Sequence, residues 1–260
     1  PLPAILGLTP LMIFGFERHR RLRQPLYLLI PAACLALQIY LGYVPAWVVS
    51  GGVLIIYGLA RLAPSLWARQ YVDVLRQTGA YAAAAGLGLL LGAYSLVPSV
   101  SSALASDYQV GREPGLGSVP LQNWVTYLFP SYWGNPRVPI WFGPGGNYPE
   151  WIAYFGVSAV PLALIGLWRL RRSWAAWFAV VVLLFALSQV YGFPPLKSLA
   201  HLPGLRQTVA ARWNYGVPLA VSILASLGVA SLLEGDIPLR PRRLLASAIA
   251  TALVLAALAV

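Results

Sequence analysis

The strongest constraint in this sequence is where its charges are missing. Eight apolar stretches contain no Asp, Glu, Lys, Arg or His: 1–16, 25–42, 44–60, 78–97, 151–168, 174–191, 215–233 and 244–260. A helix crossing the hydrocarbon core of a bilayer needs about 20 apolar residues, with a range of roughly 17–25, and each stretch is near that length. Charged residues make up 10% of the chain, against about 25% in an ordinary soluble domain, and the mean hydropathy is +0.70. A chain this poor in charge cannot cover a water-facing surface. The expectation is an all-α fold, a single polytopic membrane domain over 1–260 with about eight transmembrane helices and a long extracytoplasmic loop. Both ends, Pro1 and Val260, fall inside apolar stretches, so the sequence reads as a fragment truncated at each end, with no recognisable signal peptide.

The charges fall in the connecting segments and alternate in density. Taking the side of Arg18 as cytoplasmic, that side holds Arg18, Arg20, Arg21 and Arg23, then Arg61, Arg69 and Arg76, then Arg169, Arg171 and Arg172, then Arg240, Arg242 and Arg243. The opposite side holds only Arg112, Arg137, Lys197, Arg206 and Arg212. Positive residues are favoured on the cytoplasmic side. A multi-pass cell-membrane protein results, with 17–24, 61–77, 169–173 and 234–243 cytoplasmic and 98–150 and 192–214 extracytoplasmic. The net charge of +11 is a topology signal rather than a nucleic-acid footprint; membrane lipid is the expected partner.

Within 61–77, Trp67, Tyr71, Val74 and Leu75 share one helical face, and Arg69, Asp73 and Arg76 share the other. That pattern fits a surface helix at the interface, or a short solvated helix packed on other loops. Gly88 and Gly92, and Ser222, Ser226 and Ala230, repeat at four-residue spacing and predict close helix contacts. Pro31, Pro161 and Pro218 lie inside expected spans and predict a kink or a broken backbone hydrogen bond.

Common soluble-enzyme motifs are absent. Gly143-Pro144-Gly145-Gly146 lacks the following Gly-Lys-Ser/Thr of a phosphate loop and reads as a turn. The lone Cys34 sits in an apolar run, and His19 and His201 are far apart, so no metal-ligand spacing exists. A divalent ion is compatible with outer-face chemistry, but no ligand cluster is available to hold one.

The remaining chemistry lies in the two outer segments. Asp107, Glu113 and Glu150 are their carboxylates, interleaved with Tyr127, Tyr132, Trp133, Trp141, Tyr148 and Trp151. Such rings anchor helix ends at headgroup depth or stack on sugars and lipid chains. Glu150 precedes the fifth span, with Asn147 three residues before it and Tyr154 four after. It reads either as a first-turn carboxylate favoured by the helix dipole or as a group that hydrogen-bonds a sugar hydroxyl or polarises an acceptor. Arg206 and Arg212 offer bidentate contacts to phosphate or pyrophosphate, to lipid headgroups, or to the outer carboxylates. The leucines of 192–214 suit a short interfacial or re-entrant helix. His201, in the same segment, reads as a structural hydrogen-bonder beside the substrate rather than as a base.

Several runs resemble bacterial YfhO-type membrane proteins. They are Pro10-Leu11-Met12-Ile13-Phe14-Gly15-Phe16-Glu17-Arg18, the hairpin end Ile55–Arg61, Phe129-Pro130-Ser131-Tyr132-Trp133-Gly134, Asn147-Tyr148-Pro149-Glu150-Trp151 with Tyr154-Phe155-Gly156, and Pro203 through Arg212 to Ala230. Their order and spacing cover most of the chain. That family resembles the GT-C glycosyltransferases. The resemblance implies an enzyme that takes sugar from a polyprenyl-phosphate donor and glycosylates an extracytoplasmic cell-envelope polymer such as lipoteichoic acid. Arg206, Arg212, Trp133, Asn147, Tyr148, Tyr154 and His201 would line the substrate, and Glu150 and Asp107 are local candidates for the acid. The usual GT-C carboxylate lies in a first outer loop, which would precede Pro1, so no residue here matches it. The alternative is a lipid or polysaccharide-precursor transporter or flippase. Ion-coupled carriers place ionisable groups inside the membrane, whereas Gln38 and Gln189 are the most polar side chains of these spans.

Overall fold

The computed structural model describes residues 2–105, 118–135, 140–141, 143, 151–169, 173–202, 205 and 208–234. Among the described residues, apart from one two-residue antiparallel pairing, the regular structure is helical. The chain clusters into two compact units, Pro1–Leu116 with Leu199–Val209, and Gly117–Ser198 with Ala210–Val260.

The first unit contains α1 (Leu2–Gly7), α2 (Thr9–Leu22), α3 (Leu29–Tyr40), α4 (Val44–Trp67) and α5 (Tyr71–Ala105). The first expected span is broken at Leu8, because Pro10 opens a new helix and has no N–H to continue the old one. The second begins as a 3₁₀ turn, Pro25–Leu28, before α3. The surface helix expected within 61–77 does not form. Arg69 takes a left-handed conformation at φ 54° and reverses the chain between Trp67 and Tyr71, so the segment is shared by two long helices. Trp67, Tyr71 and Leu75 do point outward. At about 1.5 Å per residue, the 35 residues of α5 extend to about 52 Å, carrying the helix into what was expected to be the start of the 98–150 loop.

Close packing of α3 on α5 explains the glycine pair. A Cβ on Gly88 would stand 2.8 Å from the Ala32 carbonyl oxygen, and one on Gly92 would meet Ile39 at the same distance. Buried polar side chains in this unit bond to one another. Thr9 and Ser50 hydroxyls lie 2.8 Å apart, and Gln38 Nε2 donates to the Ile5 carbonyl and to Ser50 Oγ. The Trp47 indole donates to the Gln38 carbonyl. Gln38 thus braces the α1–α2 break, where helix-end carbonyls need donors.

The second unit contains a 3₁₀ helix at Leu121–Tyr127, the paired β1 (Gly134–Asn135) and β2 (Ile140–Trp141), α6 (Ala159–Trp168), α7 (Trp174–Tyr191), a 3₁₀ turn at Ala210–Tyr215 and α8 (Gly216–Glu234). The fifth expected span leaves the helix after Trp151 and becomes α-helical again at Ala159. Ser222 and Ser226 face outward, and Ser226 Oγ donates back to the Ser222 carbonyl, so that stripe is not the helix contact. The contact is made by glycines. A Cβ on Gly166 would land on the Leu224 carbonyl, and one on Gly228 on the Leu162 carbonyl.

The three prolines expected inside spans stand near helix starts. Pro31, Pro161 and Pro218 each stand third in α3, α6 and α8. First-turn N–H groups have no intrahelical acceptor, so proline is tolerated there. The prolines inside helices are Pro64 and Pro98. Four helical segments are long and apolar enough to cross a membrane: Pro45–Trp67, Tyr71–Ser102, Trp174–Tyr191 and Ala210–Glu234. Pro25–Tyr40 and Ala159–Trp168 are apolar but shorter. The described residues therefore support a membrane-embedded helical protein with four such segments; the stretch 244–260 lies outside them.

Candidate functional site

Of the residues expected at the site, Asp107, Asn147, Tyr148, Glu150 and Arg206 lie outside the described residues. Arg212 belongs to the 3₁₀ turn that leads into α8 and is buried. Trp133 is half-buried, its ring edge-on to Tyr132 at 4.9 Å. Tyr154 is half-exposed in a non-helical stretch, and His201 is exposed at the end of the 3₁₀ turn Leu196–His201.

The second unit instead gathers a polar centre from four separate segments. Tyr127 Oη donates to Asn214 Oδ1 at 2.5 Å, and Asn214 Nδ2 donates to the Trp151 carbonyl at 3.1 Å. The Tyr191 hydroxyl, at the end of α7, lies beside that of Tyr127. The rings of Tyr127 and Phe155 stack at 5.6 Å, and the Phe155 N–H donates to the Tyr127 carbonyl. Tyr127 and Asn214 are both buried. Burial, with the Tyr191 hydroxyl beside it, pushes the Tyr127 phenol far above its usual range. It therefore stays protonated and acts as a fixed donor rather than as a base.

Arg212 lies two residues before Asn214 in the same turn. Asn123, on the 3₁₀ helix that carries Tyr127, is 1% exposed, and its side-chain oxygen and nitrogen make no hydrogen bond in the structure. These groups suit recognition of hydroxyl or phosphate oxygens; none supplies a carboxylate for proton transfer. Tyr127 and Trp151 were legible as part of the aromatic set. Tyr191 and Asn214 were not, although Asn214 is the polar residue at the threshold of the seventh apolar stretch. Among the described residues, no three His, Cys, Asp or Glu side chains gather to hold a metal.

A second polar centre occupies the first unit. Arg61 makes a two-point pair with Glu17, and Tyr57 Oη donates to Glu17 Oε1 at 2.7 Å. The Phe16 ring meets Tyr81 edge-on at 4.8 Å beneath the pair. Burial pushes the Glu17 carboxyl up, but the hydrogen bonds from Arg61 and Tyr57 and the charges of Arg61 and Arg20 outweigh it and hold the group below its ordinary value. The knot joins the C-terminal end of α2 to that of α4 and so brings two arginine-bearing helix ends together. Its side chains are consumed in mutual pairing, which marks it as structural.

Compared with known proteins, the chain matches no protein-family model, no curated protein and no solved structure.

Proposed function

We propose that this chain is the transmembrane region of a GT-C-like glycosyltransferase of the YfhO type. In this reading it moves a sugar from a polyprenyl-phosphate donor to a cell-envelope acceptor on the extracytoplasmic face. The observation that carries the reading is the convergence of distant runs. Tyr127 stands two residues before the Phe129–Gly134 run, Trp151 and Phe155 belong to the Asn147–Gly156 run, and Asn214 belongs to the run from Pro203 to Ala230. They meet in one buried hydrogen-bonded centre. In this role Arg212, with Arg206, holds the donor phosphate, and Trp133, Asn147, Tyr148, Tyr154 and His201 border the sugar or prenyl chain. The sidedness follows the arginine bias, with 98–150 and 192–214 outside.

The test is transfer of labelled sugar from a polyprenyl-phosphate donor by the full-length protein in membranes. Arg212→Lys keeps the charge but loses the planar two-point fork. It should lower transfer by about thirtyfold, the loss of about 2 kcal/mol in charge-assisted bonding, while the protein stays monodisperse. Wild-type transfer in that variant would remove Arg212 from the site and the reading with it.

A further inference from the structure

The first unit contains an apolar cavity of about 430 Å³ between α2, α3, α4 and α5. Met12 and Phe16, Leu35, Leu54 and Tyr57, and Tyr81 form its walls. Ile55 and Leu59 also line it and are 64% and 62% exposed, so the cavity opens sideways through the outer face of α4. In a membrane-spanning helix that face meets hydrocarbon. An apolar cavity does not hold water, and unfilled space forfeits dispersion contacts along its walls. Hydrocarbon is the filling that the surroundings supply.

The shape and charge narrow the choice of lipid. The α4 residues lining the cavity run from Gly51 to Leu62, about 17 Å along the helix axis at about 1.5 Å per residue. The cavity thus descends from the Arg61 end towards mid-helix. At that end Arg20 stands one turn beyond Phe16 on the same face of α2. It is exposed. Arg18, Arg21 and Arg23 are exposed on the same helix end. Arg61 already balances Glu17, so the mouth carries an excess of positive charge.

We propose that this cavity holds one acyl chain of an anionic phospholipid whose phosphate rests on Arg20. The site is separate from the polar centre of the second unit and does not depend on the transferase reading.

Native mass spectrometry of the full-length protein, stripped of lipid in detergent and supplied with phosphatidylglycerol or phosphatidylcholine of identical chains, tests it. One phosphatidylglycerol should be retained in preference to phosphatidylcholine. Arg20→Gln should reduce that preference by about fivefold, the value of one arginine near an anionic headgroup. A Cβ on Gly51 would stand in open space and one on Gly58 would make only an ordinary contact with the Tyr81 ring at 4.0 Å, and leucine favours a helix over glycine. A Gly51→Leu, Gly58→Leu variant should therefore fold and retain neither lipid. Equal retention of the two lipids by the wild type would overturn the proposal. So would unchanged retention by the monodisperse double variant, or displacement of phosphatidylglycerol by an equal concentration of polyprenyl phosphate.

Discussion

Glu17 with Arg61 in the first unit, and Glu234 with Arg169 in the second, each join one helix end to another. Their settings differ. The side chains of Arg61 and Glu17 are 9% and 15% exposed, whereas Glu234 is 60% exposed and Arg169 19%. The first pair is reinforced by Tyr57 and underlain by aromatic rings; the second is open to solvent on its acidic side. The second unit also has neutral joints: glycine contacts between α6 and α8, and the chain from Tyr127 through Asn214 to the Trp151 carbonyl. One chemical pairing can therefore be a structural keystone in one unit and an ornament in the other, and burial decides which.

The largest expected effect comes from breaking the first pair. Glu17→Ala removes the carboxylate half of a buried two-point ion pair and should cost about 3–5 kcal/mol, read by thermal unfolding in detergent. Gly228→Leu comes next. It forces a side chain onto the Leu162 carbonyl and should cost about 3 kcal/mol by overpacking, exposing α6 and α8 to protease while α2 and α4 stay protected. Ser226→Leu, on the outward face of the same helix, should leave the digestion pattern unchanged. Asn214→Leu removes both the acceptor for Tyr127 and the donor to Trp151. It should cost about 1–3 kcal/mol and release the Phe155 amide to hydrogen exchange. Smallest is Glu234→Ala, within about 1 kcal/mol; a loss as large as that of Glu17→Ala would abolish the contrast between the units.

Acid sharpens the same contrast. The folded Glu17 carboxyl titrates below its ordinary value of 4.5, so its contribution is fully present above that value. It is lost as pH falls through the lower folded value. Hydrogen exchange followed from pH 6 downwards should show the α2 and α4 ends loosening below about pH 4.5, with Glu17→Gln flattening the response.

Parts of this fold were legible in the sequence. Apolar length pointed to helices in a membrane, and the Gly88–Gly92 spacing pointed to a close helix crossing, because both signals are local and repeat with the helix period. Where Pro31, Pro161 and Pro218 stand within their helices was not legible, because an apolar run does not say where its helix begins. The serine stripe on α8 misled because spacing marks a face without saying which partner covers it. The site was partly readable. Its aromatics stood out as a cluster, but Asn214 meets Tyr127 across 87 residues of chain, a separation no periodic signal spans. Arg212 was correctly placed near a helix start, but its burial was not foreseen.

By itself the sequence determined that this chain is too apolar and too poor in charge for a water-facing surface, and that its cations cluster between apolar stretches. Those properties are sums over neighbouring residues, so they survive without a fold. Only the tertiary structure decided which charges are buried, which glycines carry the helix contacts, and which polar groups share one centre. Each of those outcomes is a contact between segments far apart in sequence, and desolvation, steric fit and hydrogen bonding act only once such segments have met.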